Sequence, residues 1–405
     1  MTLPKIISVD DHVVEPPTVW TDRLPARYRD RGPRVVREQG VSLREDGGLR
    51  WVNDPDAPGA SWVDVWYYDD MVWPLTRGWA YSGYHGEDSL RPITYDDVLP
   101  GTWDPAARLV DMDTNHTEAT LCFPTVPRFC GQIFLEREDK ELALLGVQAY
   151  NDWMIDEWHA ASPARLIPNT LIPLWDATLA ADEVRRCAAK GSHSIAFSEC
   201  PPYLGLPSIY SDAWDPLFAA CQETDTVINM HVGSSSKLIT TAPDAPVDMS
   251  LCLTYVNSLL AFSDWLYSGT LHRFDTLRIA LSESQVGWIP FVTQRVDATW
   301  KKGNSFFEAR PGRRATELPS SVIPGRVFGC VFDDLEGLRN RDAVGIDQIL
   351  FETDYPHTDS TFPDSEAVFA AMVKEAGLNE EEIWKVTRAN AVRAYNLDEH
   401  FGIIA

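Results

Sequence analysis

The chain has 405 residues, 44% of them hydrophobic and 23% charged, and its 60 acidic against 35 basic side chains give a formal charge of −25. Such a composition supplies a large apolar core, and the length suits one long barrel-type domain rather than a set of modules. The negative surface repels phosphate backbones and anionic headgroups, which excludes nucleic acid and membrane partners and leaves a small molecule as the expected one.

In chain order, Lys5–Val9 reads as a first strand running into Asp10-Asp11-His12-Val13-Val14-Glu15. From about Pro16 to Pro100 the periodicity is lost in a stretch rich in Pro, Gly, Asp and aromatic residues, including Trp51, Trp62, Trp66, Tyr67, Tyr68, Trp73, Trp79, Tyr81 and Tyr84. This exceeds an ordinary loop and is read as an inserted subdomain or lid. It would form a small extra core, a dimer interface or an aromatic wall over the active site. A helix over Asp104–Asp113 follows, with Asp104 as cap and Pro105 at its first position. The alternation then continues. Strands are expected at Ala119–Phe123, Leu166–Leu174, Ser194–Phe197, Val227–Met230, Arg278–Leu281, Val327–Val331 and Gln348–Phe351. Helices are expected at Lys140–His159, Ala177–Lys190, Ser211–Glu223, Met249–Leu271 (buried), Trp288–Lys302, Ser365–Ala376 and Glu380–Tyr395. Eight strand-helix units predict an α/β fold, a closed parallel (β/α)8 TIM barrel over residues 1–405, with the long aromatic-rich insertion after strand 1.

The seven cysteines, Cys122, Cys130, Cys187, Cys200, Cys221, Cys252 and Cys330, are scattered without a CxxC pair and read as reduced core thiols. No run of roughly 18 apolar residues occurs and the N-terminus lacks a signal-peptide pattern, so a cytoplasmic location is expected. Motifs for dinucleotide, phosphate-loop or serine-nucleophile chemistry are missing, so no cofactor other than metal is indicated.

The chemistry gathers at strand ends. Period two puts Asp10 and His12 on one face of the first strand and turns Asp11 away. His231 ends the fifth strand, and Asp354 in Thr353-Asp354-Tyr355-Pro356-His357 lies just beyond the eighth. Two imidazoles and two carboxylates converging from three strand tips would hold a divalent cation with open positions for water and substrate.

Asp10-x-His12-x-x-Glu15-Pro16, Ala149-Tyr150-Asn151-Asp152-Trp153, His231-Val232-Gly233, Val286-Gly287-Trp288-Ile289-Pro290, Thr353-Asp354-Tyr355-Pro356-His357 and Asn390-Ala391 together resemble the amidohydrolase superfamily. The likeness is to the branch containing aminocarboxymuconate semialdehyde decarboxylase, and it covers nearly the whole chain apart from the insertion. It implies a barrel with one divalent metal on Asp10, His12, His231 and Asp354, the last also handling a proton, and a homo-oligomer, commonly a dimer.

Two positions depart from that pattern. Where many decarboxylases of the branch carry histidine at the end of strand six, this chain has Glu283, which beside a cation would be ionised and could orient water, accept its proton or ligate the metal. Asp10 stands where some relatives carry His, and two anionic ligands favour manganese, with zinc as the alternative. Ser194–Ser198 offers no lysine for a second metal. Arg128 could anchor a substrate carboxylate and His357 could touch substrate, while Glu15 reads as support for the first loop. The leading expectation is a hydrolase acting on a small aromatic or cyclic substrate, with Asp354 and Glu283 catalytic. Nonoxidative decarboxylation of an aromatic or unsaturated acid is the alternative, and a non-catalytic binding barrel is the third reading.

Overall fold

Eight strands of the computed structural model run parallel in two sheets. The described residues are 3–45, 48–79, 89–303, 315, 317–358 and 360–398. β1 (Ile6–His12) pairs with β6 (Thr117–Phe123), which pairs with β7 (Leu166–Ile167). β8 (Ser194–Phe197), β9 (Val227–His231), β10 (Ile279–Ser282), β11 (Val327–Val331) and β12 (Ile349–Phe351) form the second sheet in sequence order. All eight are buried on both faces, as expected of parallel strands flanked by helices.

Hydrogen bonds also cross both gaps between the sheets. Thr170 N–H donates to Ser194 O (3.0 Å) and Ala196 N–H to Thr170 O (2.9 Å). On the other side Asp354 N–H donates to Asp10 O (3.0 Å) and His12 N–H to Tyr355 O (2.6 Å). Asp11 adds a side-chain tie. Its carboxylate accepts from Ser8 Oγ (2.9 Å), Thr353 Oγ1 (2.6 Å), Tyr355 N–H (3.1 Å) and Thr120 Oγ1, joining β1, β6 and the segment after β12. The buried Arg108 stands behind it, 3.8 Å from Asp11 Oδ2, donating to Gly101 O (2.6 Å) and His12 O.

Between β1 and the first long helix the chain builds a separate antiparallel sheet in the order β3-β2-β4-β5. Its strands are β2 (Arg34–Glu45), β3 (Gly48–Val52), β4 (Ser61–Tyr68) and β5 (Met71–Pro74). On β4, Val63 and Val65 pack with Trp51 on one face, while Trp66 and Tyr68 on the other meet Trp20 and Phe134 of the main core. These strands escape a periodicity reading because β2 sets apolar and charged residues in adjacent pairs, such as Val35-Val36 and Arg37-Glu38, and β4 is buried on both faces over four successive positions. Tyr81 and Tyr84 of the aromatic run lie outside the described residues.

Elsewhere the elements agree with expectation to within a few residues, with three corrections. The Leu166–Leu174 strand shortens to Leu166–Ile167, because Pro168 removes a ladder donor and only Thr170 pairs beyond it. The Met249–Leu271 helix is three helices, Val247–Cys252, Thr254–Ser268 and Thr270–Arg273, the last break falling at Gly269 in the left-handed conformation (φ 74°). The first of these buries no side chain, so Cys252 is exposed, and Cys200 in the segment after β8 is half-buried, against the expectation that all seven thiols are in the core. Asp104 caps the helix Pro105–Thr114, accepting from Ala107 N–H (2.7 Å). No described helix is long and apolar enough to cross a membrane.

Candidate metal centre

The ends of β1, β9 and β10 and the turn after β12 place their polar side chains around one buried point. His12 Nε2 lies 3.7 Å from Asp10 Oδ1, 3.2 Å from Asp354 Oδ1 and 3.2 Å from His231 Nε2. His231 Nε2 lies 3.5 Å from Asp10 Oδ2 and 3.5 Å from Glu283 Oε1. His357 Nδ1 is 2.8 Å from Asp354 Oδ1 and 3.9 Å from Glu283 Oε1. Thus the chain brings together Asp10, His12, His231, Glu283, Asp354 and His357, from positions spread over nearly its whole length.

Local structure explains each placement. Asp10 and His12 share a face of β1 by the two-residue period, and Asp11 points into the opposite layer. Parallel pairing sets Ser282 beside His231, so Glu283, the next residue, reaches the imidazole. Glu283 (φ 52°) and Asp354 (φ 55°) both adopt the left-handed conformation that non-glycine residues avoid, which turns their side chains off the strand direction. Glu352, with Oε2 accepting from the Glu283 N–H (3.1 Å), pins that bend.

The donor set fits a divalent cation. Both Asp10 oxygens are buried with no hydrogen-bond donor among the described residues, an arrangement costly for a carboxylate unless a positive charge is nearby. Burial, then Glu352, Glu283 and Asp354, push the Asp10 carboxyl well above its usual range, and burial and Glu283 do the same to Glu352. A cation among them would reverse that crowding. His231 Nδ1 donates to Val232 O (2.6 Å), which leaves Nε2 as the lone-pair nitrogen facing the acids. Burial, together with His357 and His231, holds His12 well below its ordinary value, in the neutral form that ligates metal. Burial raises Glu283, but His231 and His357 outweigh it and the carboxyl ends below its usual range. For His357, burial is overcome by Asp354 and Glu283, and the imidazole is shifted well upward.

A cavity of about 340 Å³ opens on this cluster, with His12 and His357 at one end and Met71, Val72 and Trp73 of β5, Phe129 and Ile133 among its walls. Phe129 stacks on His231 at 4.1 Å and 10°. His357 stacks on His12 at 3.7 Å and 26°. A wider cavity of about 690 Å³ shares Phe129 and His357 and reaches Glu283. Arg128 lines the narrower cavity already engaged, paired with Glu136 and donating to Ser236 Oγ (3.2 Å). Glu15 lies apart from the cluster, and its carboxylate accepts from the Thr125 (3.1 Å) and Val126 (2.8 Å) N–H groups of the segment after β6 rather than from the first loop. Sequence reasoning did not single out Phe129, Glu199 or Glu352. Glu352 and Glu199 follow the tips of β12 and β8 closely, the signal that could have found them, whereas Phe129 lies well beyond the end of β6 and carried none.

The amidohydrolase family model matches residues 49–397, and the chain belongs to that family. No curated protein matches the sequence. Among solved structures it is similar to an amidohydrolase from Mycobacterium avium subsp. paratuberculosis K-10, with 20% identity, 98% of each chain covered and a TM-score of 0.68. It is also similar to 5-carboxyvanillate decarboxylase from Novosphingobium aromaticivorans DSM 12444, solved with manganese and 4-hydroxy-3-methoxy-5-nitrobenzoic acid (14% identity, 97% of this chain and 96% of that one, TM-score 0.62). A third is dihydroxybenzoic acid decarboxylase from Polaromonas sp. JS666 with manganese and 2-nitroresorcinol (16% identity, 98% and 99%, TM-score 0.59). At these identities the likeness is one of fold.

Proposed function

We propose that the chain is a closed (β/α)8 barrel enzyme, a metal-dependent carboxy-lyase removing carbon dioxide from a small aromatic or unsaturated carboxylic acid. The observation that carries this reading is the apolar, aromatic-walled cavity ending on the His12–His357 pair, with β5 of the antiparallel sheet as its roof. Flat rings offer such walls large contact area at little entropic cost. The decarboxylases of similar fold add weight to it over the hydrolase expected first from sequence.

Asp10, His12, His231 and Asp354 would hold one divalent cation, manganese in preference to zinc because two of the donors are carboxylates. When bound, the cation supplies positive charge that draws in and polarises the substrate carboxylate and a neighbouring oxygen. His357, hydrogen-bonded to Asp354, keeps a proton beside the reacting carbon, and Asp354 delivers it. The C–C bond breaks with its electron pair left on the ring carbon, that carbon takes the proton, and carbon dioxide departs. Glu283, 3.9 Å from the same His357 nitrogen, helps hold that imidazole charged, and Phe129 and Trp73 keep water out.

Glu283 also favours a second reading, hydrolysis, since a carboxylate 3.5 Å from His231 Nε2 is placed to take a proton from water. The manganese-loaded protein is to be incubated in oxygen-18 water with hydroxybenzoates, unsaturated acids, lactones and amides. Carbon dioxide release with no label in the organic product supports the lyase, whereas labelled product overturns it.

A further inference from the structure

Glu199 stands two residues beyond β8, buried, and takes no part in the chemistry above. Its Oε1 gathers four donors: the N–H groups of Gly233 (3.0 Å) and Ser235 (3.4 Å), the Ser235 hydroxyl (2.8 Å) and the Asn257 amide (2.8 Å). Its own N–H donates to Ser234 Oγ at 2.9 Å. Three of the four donors, and Ser234 as well, belong to the segment that leaves His231.

That segment touches the candidate centre in three places. Val232 O accepts from His231 Nδ1, fixing which imidazole nitrogen faces the acids. Gly233 (φ 86°) lies flat against Phe129, the ring stacked on His231, and a Cβ there would fall 3.0 Å from that ring. Ser236 (φ 57°) accepts from Arg128 on the cavity wall. The turn closes two backbone hydrogen bonds of its own, Ser234 N–H to His231 O (3.1 Å) and Ser236 N–H to Gly233 O (2.9 Å), but Ser236 sits in the left-handed conformation that non-glycine residues avoid, so the surroundings must help determine it.

We propose that Glu199 is a positioning residue for the metal centre, its carboxylate gripping the Val232–Ser236 turn so that His231 presents Nε2 to the cation and Phe129 and Arg128 face the cavity. The proposal rests on His231 being a metal ligand, as in the preceding reading. Hydrogen bonds to a buried carboxylate are stronger than those between neutral groups, and removing the acceptor strands several buried donors at once. With the grip gone the turn relaxes, Val232 O moves, and the imidazole loses the partner that orients it.

The test is calorimetric titration of the full-length, chelator-treated chain with manganese and, separately, with zinc. Glu199→Gln keeps an acceptor oxygen at the same place, and Glu199→Leu removes it. The Leu variant is expected to bind the cation about 10- to 100-fold more weakly, the range for loss of a ligand's supporting partner, and the Gln variant to stay within about threefold of wild type. Ser235→Ala and Asn257→Ala, each removing one donor, are expected to fall between, and they decide the matter if the Leu variant does not fold. Wild-type affinity in a folded Leu variant and in both single-donor variants overturns the proposal, as does a Gln variant as weak as Leu. A residue that only supports the fold would lower the melting temperature of the metal-free chain and leave affinity unchanged, which equally overturns it. If wild type binds neither metal, the ligand assignment itself fails, and this inference with it.

Discussion

Asp354 Oδ1 lies 3.2 Å from one imidazole and 2.8 Å from another, so a single oxygen links the proposed ligand His12 to the proposed proton store His357. Asp354→Asn preserves shape while removing the ionisable oxygen. Turnover is expected to fall by roughly two to four powers of ten with the fold intact, measured as initial rates of the manganese-loaded variant. Near-normal rates would refute the assigned role. A second residue gives a pH prediction. Burial pushes the Glu199 carboxyl up to about 7 against the opposing pull of Asn257, Ser235 and Gly233. An acid raised on folding stabilises the folded chain fully below its unfolded value of 4.5 and loses that contribution as pH climbs through about 7. The unfolding free energy of wild type relative to Glu199→Gln should therefore drop by on the order of 3 kcal/mol between pH 4 and 8, read from denaturant curves at both ends. A difference flat across that range would contradict it.

Elements carry the site only because they are locked together behind it. Asp11 and Arg108 form the buried tie between β1, β6 and the turn after β12, and Arg108 also lies over the rings of Tyr355 (4.4 Å) and Trp158 (5.2 Å). Replacing Arg108 with Met leaves Asp11 without its compensating charge and is expected to cost about 3–5 kcal/mol, measured by chemical denaturation. A loss below about 1 kcal/mol would mean the hydroxyl and amide donors to Asp11 suffice. This tie also marks what was legible beforehand. Asp10 and His12 facing one way and Asp11 the other followed from strand period alone, and the parallel strands announced themselves as short apolar runs. The antiparallel sheet did not, because Trp66 and Tyr68 pack against residues such as Trp20 and Phe134 that no local pattern connects to them. Glu199 was hidden for the same reason: its partners Gly233, Ser235 and Asn257 lie 34 to 58 positions away.

For the molecule as a whole, the acids Asp10, Glu283, Glu352 and Asp354 make the metal a matter of stability as well as chemistry. At a manganese concentration a hundred times Kd the folded state gains about 2.7 kcal/mol, so chelation should lower the melting temperature and added manganese restore it. An unchanged transition would count against the centre. The left-handed backbone at Arg128, Ser236, Glu283 and Asp354 has a broader consequence. Each such residue carries roughly 1–2 kcal/mol that glycine would not. Glu283→Gly is expected to gain about 1 kcal/mol in unfolding free energy, after allowing for glycine's extra unfolded-state freedom, and so to melt slightly higher than wild type while turning over more slowly. A calorimetric scan beside a rate assay checks both, and a lower-melting variant would refute the expectation. Sturdiness and catalysis are then opposed at this rim, and random drift toward a tougher protein would run first through its least useful versions.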